Sequence, residues 1–198
     1  MKTIGITGGV GCGKSAVMDY LEKNYNCVVI YADLLAKELQ SPGHECYDEI
    51  VSLLGKRILD REGSIDKKKM AKIIFEDDEL RMGVNAIVHP AVKEYVLNAI
   101  EREMTLKEHD YFFLEAALLI EEKYYEILDE LWYIYADEEV RRERLKSSRG
   151  YSDDKIDTIF ESQLSDEEYT KHCKVRIDNS NGLDDTFRQI DLYLRRDR

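Results

Sequence analysis

The sequence predicts an α/β fold in which a parallel sheet carries helices on both of its faces. Five short runs rich in β-branched and aromatic residues alternate with longer segments of helical periodicity. Such alternation is typical of a sheet assembled from strand–helix–strand units. The 198 residues, 43% of them hydrophobic, are enough to bury one sizeable core. The predicted strands are Thr3–Thr7, Cys27–Asp33, Tyr111–Glu115, Leu131–Tyr135 and Val175–Asp178. The second of them begins as a continuous apolar run, so we expect it to be buried on both faces of the sheet.

The first predicted strand runs directly into a glycine-rich segment. Gly8, Gly13, Lys14 and Ser15 have the spacing of a phosphate loop. Glycines let the backbone approach an anion, and backbone N–H groups together with the first turn of the next helix then bind phosphate oxygens. We expect Lys14 to reach the β- and γ-phosphates of a nucleoside triphosphate and Ser15 to hold Mg²⁺. A glycine-rich turn that binds nothing is the alternative. The predicted nucleotide contacts are Gly9, Val10, Gly11, Cys12, Gly13, Lys14, Ser15 and Ala16.

The composition limits the partners of the protein. The formal net charge is −12, and 35% of the residues are charged. A general nucleic-acid surface needs many cations to neutralise backbone phosphates, so the sequence argues against nucleic acid as a partner. A nucleotide needs only cations clustered in one cleft, which screening over about 8 Å at physiological salt permits. We expect small phosphorylated substrates, and a monomer or a weak homo-oligomer.

Cysteine use and hydropathy indicate where the protein works. The four cysteines are scattered without metal-binding spacing, which indicates reduced thiols. One of them, Cys12, lies inside the glycine-rich loop, and sensitivity of the protein to its oxidation is a further hypothesis. No apolar run reaches the roughly 18 residues that span a bilayer, and we expect no leader segment. With only two prolines and no low-complexity tract, the sequence predicts a cytoplasmic protein that forms a single unit and binds no membrane.

Asp33 stands where the second predicted strand ends. In open α/β sheets ligands bind beyond the carboxyl ends of the strands, so we expect Asp33 and the phosphate loop to face one crevice. A carboxylate there can accept the proton of a hydroxyl that attacks the γ-phosphate. Asp is also a favoured helix N-cap, here for a helix over Leu34–Leu39. Position alone leaves both roles open, and one does not exclude the other.

Residues 34–109 are mostly helical in pattern. Apolar residues recur at helical spacing in the second half of this region and give one apolar face. Pro90 interrupts the pattern, so we expect a kink or a fresh helix start there. His89 precedes it, and a histidine in such a place more often makes a local structural hydrogen bond than it catalyses a reaction. Arg81 and Asn85 lie one turn apart and offer a polar edge to a substrate.

Charged groups mark the later part of the chain. The strand that ends in Glu115 has a Walker-B-like pattern, in which the acid supports Mg²⁺ or its waters. The dense basic cluster of residues 141–149 lies between the last two strands and ends in Gly150. Two helices that carry arginines around this break predict a mobile lid, because guanidinium groups pair bidentately with phosphoryl oxygens. A solvated helix with Glu–Arg pairs is the alternative.

Together these motifs resemble the dephospho-CoA kinase family over nearly the full length of the chain. Gly8–Ser15 looks like the family's opening loop, and Tyr31-Ala32-Asp33 is similar to its Asp-Ala-Asp segment. The last Asp of that segment is taken as the base for the ribose 3′-hydroxyl of dephospho-CoA. Asn85–Pro90 resembles the Asn-x-Ile-x-His-Pro signature of the family's substrate-binding helices. Further matches are Leu114–Glu121, the lid residues Arg144, Arg149 and Gln163, and the adenine-side segment Ile177-Asp178-Asn179.

The resemblance implies a role for each of these residues. The implied catalytic residues are Lys14, Asp33, Arg144 and Arg149, with Ser15 as the metal ligand. The implied substrate contacts are Asp33, Asn85, His89 and Leu118, and Asn179 is the further nucleotide contact. Arg81 joins the predicted substrate contacts because of its spacing from Asn85. The chain departs from the family pattern at four positions that bear on the acceptor pocket: Tyr31 replaces an acid, Lys37 an Arg, Glu115 an Asp and Ala117 a Pro.

The resemblance also implies an architecture and a reaction. The fold is expected to be a three-layer P-loop kinase fold with a five-stranded parallel sheet. Its nucleotide-binding core covers about 1–56, 109–136 and 171–198, its helical substrate region about 57–108 and its lid about 137–170. The implied reaction is the ATP- and Mg²⁺-dependent phosphorylation of the 3′-hydroxyl of dephospho-CoA to CoA, the final step of coenzyme A biosynthesis.

Two rival functions share part of this pattern. Another kinase of small metabolites or nucleosides would have the loop and the lid, but we do not expect it to carry the signature over Asn85–Pro90. A non-catalytic nucleotide switch would need the loop and no acceptor base, and negligible turnover despite tight nucleotide binding would favour it.

Overall fold

The computed structural model describes residues 1–196, which form two compact units. The first unit combines Met1–Ile30 with the chain from Lys107 onward, and the second is Tyr31–Leu106. This division follows packing alone. The assignment of residues 57–108 to substrate binding and of 137–170 to a lid therefore stays a prediction.

The first unit contains a five-stranded sheet in the order β2-β3-β1-β4-β5. Its pairings β1–β3, β1–β4 and β4–β5 are parallel, as the alternation of strands and helices predicted. The strands are β1 (Lys2–Thr7), β2 (Cys27–Tyr31), β3 (Tyr111–Glu115), β4 (Glu130–Tyr135) and β5 (Val175–Asp178). The helices of this unit are α1 (Lys14–Asn24), α6 (Glu138–Arg149), α7 (Asp153–Glu161), α8 (Asp166–His172) and α9 (Leu183–Arg196).

The central strands hold the core of the first unit. Ile4 and Ile6 of β1, Phe112 and Phe113 of β3 and Trp132 of β4 are fully buried. Burial of side chains of this size stabilises a fold by roughly 1.5–3 kcal/mol each. Because β1 lies between β3 and β4, the segment that follows β1 emerges at the middle of the carboxyl edge of the sheet.

The second strand departs from its prediction. We expected β2 to be buried on both faces because its sequence is continuously apolar, but all five of its residues are partly exposed. The cause is the topology, since β2 is an edge strand with β3 as its neighbour in the sheet. It also ends at Tyr31, and α2 starts at Ala32, so Asp33 lies inside a helix and not at a strand end.

The second unit is helical. It comprises α2 (Ala32–Leu39), α3 (Tyr47–Leu54), α4 (Lys67–Glu76) and α5 (Asp78–Leu106), and α5 packs against the other three. Val84, Val88, Val92 and Val96, spaced four residues apart, are buried and form the expected apolar face of α5. Of the two outcomes expected at Pro90, the fresh helix start is wrong, because α5 continues through this residue, and the kink stays a prediction. Packing along one long apolar face outweighs the single backbone hydrogen bond that the proline removes.

Candidate active site

Gly8 and Gly13 give the phosphate loop its backbone path. Gly8 has φ 145° and Gly13 has φ 93°, which side chains other than glycine rarely adopt. A Cβ on Gly8 would lie 2.4 Å from the carbonyl oxygen of Ile134, and one on Gly13 would lie 2.2 Å from Nδ2 of Asn179. The loop therefore needs glycine at both places for conformation and for space.

Lys14 opens α1 and folds back over the loop. Its Nζ donates to the carbonyl oxygen of Gly8 at 2.8 Å and lies 3.5 Å from that of Gly9. The carboxylate of Glu115, at the end of β3, is 3.9 Å from the same Nζ. The strand-end acid predicted from the sequence thus lies beside the loop lysine. Ser15, the predicted metal ligand, is exposed in the first turn of the same helix.

Cys12 lies on the inner side of the loop and is only 1% exposed. Burial raises the pKa of its thiol, although Lys14 and Arg141 oppose the shift. A thiol reacts with oxidants as its thiolate, so both the missing access and the raised pKa argue against the hypothesis of an oxidation-sensitive loop.

Arg144 and Asn179 hold the loop from the other side. Arg144 donates to the carbonyl oxygen of Asn179 at 2.8 Å and lies 3.4 Å from that of Cys12. The Asn179 amide donates to Cys12 at 2.8 Å and accepts from the Thr186 hydroxyl at 2.8 Å. Asn179 is 1% exposed, so its side chain is committed to the loop. A direct contact of Asn179 with the nucleotide stays a prediction.

Arg149 and Leu118, the other two predicted site residues of this unit, have no described contact with the loop. Arg149 is exposed at the end of α6, and its guanidinium carbon lies 5.9 Å from the centre of the Tyr151 ring. Gly150, in a left-handed conformation, ends this helix as the sequence predicted. Leu118, after β3, is 45% exposed.

The prediction of site residues missed Arg141. The arginine belongs to the basic cluster of α6, one turn before Arg144, and only that spacing could have pointed to it. Its Nε donates to the carbonyl oxygen of Val10 at 2.9 Å, and its NH2 group donates to the side-chain oxygen of Gln163. Its guanidinium carbon stands 4.2 Å from the centre of the Phe160 ring.

Asp33 lines a cavity of about 740 Å³ in the second unit. The carboxylate is exposed in the first turn of α2, whose N-cap is Tyr31, so the alternative that Asp33 caps this helix is wrong. Lys37, one turn further on, lines the same cavity. The remaining walls come from Ala36, Glu38, Gln40, Ser41, Pro42, Ser64, Ile65, Lys67 and Met70.

The substrate residues predicted on α5 do not line that cavity. Arg81 is exposed and forms an ion pair with Asp78 at 3.0 Å. Asn85 is exposed, and His89 is partly buried one turn further along the helix. Their spacing gives the polar edge that the sequence predicted, and their contact with a substrate stays a prediction.

Neither a ready-made metal cluster nor a membrane-spanning helix occurs in the described part of the chain. Within residues 1–196, no three His, Cys, Asp or Glu side chains converge as a metal site. Mg²⁺ at a nucleotide site uses one or two protein ligands together with phosphate oxygens, so it needs no such cluster. None of the described helices has the length and apolarity required to cross a bilayer.

The fold and the site together define a phosphate-loop kinase. The glycine loop follows the central strand of a five-stranded sheet, and a lysine and an arginine contact the carbonyl groups of this loop. Solved structures share this fold: a protein described as TT1252 of Thermus thermophilus matches with a TM-score of 0.81 and 27% identity, covering 98% of this chain and 97% of that one. A shikimate kinase of Acinetobacter baumannii, at a TM-score of 0.54 and 16% identity over 99% of this chain and 94% of its own, shows the fold alone.

The chain belongs to the dephospho-CoA kinase family, whose model matches residues 2–185. The dephospho-CoA kinase of Aquifex aeolicus is 37% identical over 96% of this chain and 94% of its own length. That of Carboxydothermus hydrogenoformans is 36% identical over 94% and 90%. The chain is accordingly an ATP-dependent kinase of the final step of coenzyme A biosynthesis, as the resemblance implied, and its substrates are ATP and dephospho-CoA.

Proposed function

We propose that Lys14, Asp33, Arg144 and Arg149 carry out the transfer of the γ-phosphoryl group of ATP to the ribose 3′-hydroxyl of dephospho-CoA. One observation carries the proposal: Lys14 Nζ is held 2.8 Å from the Gly8 carbonyl oxygen, at the mouth of a loop whose path requires glycine. A cation in that place neutralises the β- and γ-phosphates, and N–H groups of the segment Gly9–Ala16 bind their oxygens. The N–H groups of Cys12 and Ala16 are not among them, because they donate within the loop to the carbonyl oxygens of Gly9 and Gly13.

Asp33 is the proposed base for the acceptor hydroxyl. Its carboxylate is exposed toward a cavity large enough for part of a nucleotide-like acceptor. A carboxylate is a far weaker base than the alkoxide of a ribose hydroxyl, so proton transfer comes late in the reaction. Most of the acceleration then comes from positioning and from electrostatic stabilisation. Arg81, Asn85, His89 and Leu118 are the proposed further contacts of the acceptor.

The two lid arginines take different parts in this proposal. Arg144 already contacts the loop, so its guanidinium can stabilise the charge on the transferring phosphoryl group after a small change of partners. Arg149 is exposed beside Gly150, and its proposed role requires the α6–α7 segment to close over the nucleotide. Closure excludes water, which would otherwise hydrolyse ATP.

Mg²⁺ fits the loop through the exposed hydroxyl of Ser15, because a hydroxyl oxygen and phosphate oxygens are the hard ligands this ion prefers. When bound, the ion neutralises the charge that develops on the phosphates. We further propose a cytoplasmic enzyme that is a monomer or a weak homo-oligomer. The four free cysteines support a reducing compartment.

The experiment is an ADP-release assay with ATP, with and without dephospho-CoA. The mass of the phosphorylated product is determined by mass spectrometry. We expect ADP only when dephospho-CoA is present, a product heavier by one phosphoryl group, and activity that EDTA removes and added Mg²⁺ restores. Ser15→Ala is expected to raise the Mg²⁺ concentration that gives half-maximal activity. An unchanged Mg²⁺ dependence of that variant would remove Ser15 as the metal ligand.

A further inference from the structure

Arg141 joins three parts of the first unit, namely helix α6, the phosphate loop and the segment of α7. It projects from α6, donates to the backbone of the phosphate loop at Val10, and donates to Gln163 beyond the end of α7. Its guanidinium also lies against the ring of Phe160 in α7, at 4.2 Å. We infer that Arg141 is a positioning residue that sets the conformation of the phosphate loop for ATP and makes it depend on α7.

The bond to Val10 has a direct consequence for phosphate binding. In a trans peptide the C=O and the following N–H point in opposite directions. A Val10 carbonyl held at 2.9 Å by the Arg141 Nε therefore fixes the Gly11 N–H on the opposite side of the peptide plane, away from the arginine. Gly11 has φ 85°, so this peptide lacks the steric restraint that a side chain supplies elsewhere. The arginine supplies that restraint.

The Arg141 and Gln163 side chains pack closely against the loop at Gly9. A Cβ on Gly9 would lie 2.4 Å from the NH2 nitrogen of Arg141 and 2.7 Å from the side-chain oxygen of Gln163. Both clashing atoms are the far ends of flexible side chains. A methyl group at Gly9 can therefore be accommodated by displacing the pair, and Gly9→Ala is expected to have the same effect as loss of Arg141.

The neighbouring Arg142 is a matched control. It projects from the same helix but pairs with Glu138, Asp153 and Asp157, at 3.3, 3.1 and 2.6 Å. It therefore joins α6 to α7 without a described contact to the loop. Arg142→Ala removes the same charge from the same helix and loosens the same pair of helices, and it leaves the Val10 contact in place.

The test compares steady-state kinetics and ADP binding of Arg141→Ala, Arg141→Lys and Arg142→Ala. For Arg141→Ala we expect a KM for ATP and a dissociation constant for ADP about tenfold higher, which is the loss of one charged hydrogen bond, with kcat and the KM for dephospho-CoA within twofold of wild type. A lysine keeps the charge but has all its donors on one nitrogen atom and lacks the planar fork that spans Val10 and Gln163. The affinity of Arg141→Lys for ADP is therefore expected to lie between those of wild type and Arg141→Ala. Arg142→Ala is expected to bind ADP like wild type.

Three results would overturn the inference. They are an unchanged affinity of Arg141→Ala for ATP and ADP, an equal loss of ADP affinity in Arg142→Ala, and a lower kcat of Arg141→Ala at unchanged KM for ATP, which would indicate direct contact with the transferring group.

A second pair of variants covers the case in which Arg141→Ala folds poorly. Gly9→Ala is expected to weaken ADP binding in the wild-type background, and the double variant Gly9→Ala/Arg141→Lys is expected to bind ADP no more weakly than Gly9→Ala alone. Additive losses in the double variant would also count against the inference. ADP binding is measured without an acceptor, so this test is independent of the roles proposed for Asp33 and Arg149.

Discussion

In the first unit, the groups proposed to hold the phosphates are bonded to the loop and to its neighbouring segment, whereas in the second unit the proposed base Asp33 and its neighbour Lys37 are exposed in the wall of a cavity. Lys14, Arg144 and Asn179 each donate a hydrogen bond to a carbonyl oxygen of the loop or of its neighbouring segment. Asp33 and Lys37, by contrast, are exposed side chains on one face of a short helix.

The difference indicates which side chains are preorganised before a substrate binds. A charged group held by several bonds loses little entropy when a ligand arrives, and it stabilises charge without rearranging. Exposed side chains must be ordered by the substrate itself. We expect variants in the loop to affect every step that involves ATP, and variants in the cavity to affect only steps that involve the acceptor.

Replacement of the loop lysine is expected to give the largest effect. Lys14→Ala removes the cation proposed for the β- and γ-phosphates, and kcat/KM for ATP is expected to fall by about 10²–10³. The measurement is initial-rate ADP release at saturating dephospho-CoA. Lys23→Ala, an exposed lysine in the last turn of the same helix, serves as the control and is expected to behave as wild type. Wild-type kinetics in Lys14→Ala would contradict the proposal that the loop lysine stabilises the phosphates of ATP.

An intermediate effect is expected from Asp33→Asn. Loss of the proposed base lowers kcat by roughly 10²-fold, at the lower end for general-base catalysis because the proton leaves late. The KM for ATP is expected to stay within twofold. Asp48→Asn is the matched control, because Asp48 is likewise an acid in the first turn of a short helix of this unit but does not line the cavity. Equal activity of Asp33→Asn and Asp48→Asn would remove Asp33 as the base.

The smallest effect is expected on the free energy of unfolding. It tests whether a buried charge stabilises the first unit. Glu130, whose side chain is 3% exposed, accepts from Lys174 at 2.7 Å, from Trp132 at 2.8 Å and from Lys2 at 3.0 Å. Burial alone would raise the pKa of this carboxyl, but the three bonds outweigh burial and hold the pKa below its ordinary range. The stabilisation is therefore present above the ordinary pKa of a glutamate and is lost as the pH falls through the lowered value.

Glu130→Gln is expected to lower the free energy of unfolding by about 1–3 kcal/mol at pH 7, and the difference from wild type is expected to shrink toward pH 3. Urea unfolding at several pH values measures it. The control is Glu62→Gln, an exposed residue of the second unit. A difference that is constant with pH would show that the carboxylate charge of Glu130 contributes nothing.

Much of the sheet could be predicted from the sequence, because its signals are local. The strands of the first unit are recognisable in the sequence as short apolar runs. Two predictions failed where distant parts of the chain decide the outcome. The exposure of β2 follows from its place at the edge, and the passage of α5 through Pro90 follows from packing along the whole helix.

The same division holds for the site. The phosphate loop is a single stretch with a fixed spacing, so the spacing of Lys14 from Gly8 was visible. Arg141 is 131 positions away from its partner Val10 and carries no motif of its own. Its neighbour Arg142 looks the same in the sequence, and only the orientation of α6 makes one arginine contact the loop and the other contact acidic residues.

The strand order also constrains how the chain can fold during synthesis. β1 is made first, yet both of its neighbours, β3 and β4, lie beyond residue 110, so the phosphate loop cannot gain its flanking strands until more than half of the chain has left the ribosome. In the meantime β2 is an apolar strand without a partner, of the kind that associates with other chains. The helical second unit is continuous in sequence and depends on local contacts, which form quickly. The helices are therefore able to form before β3 and β4, the flanking strands of the nucleotide site, have been synthesised.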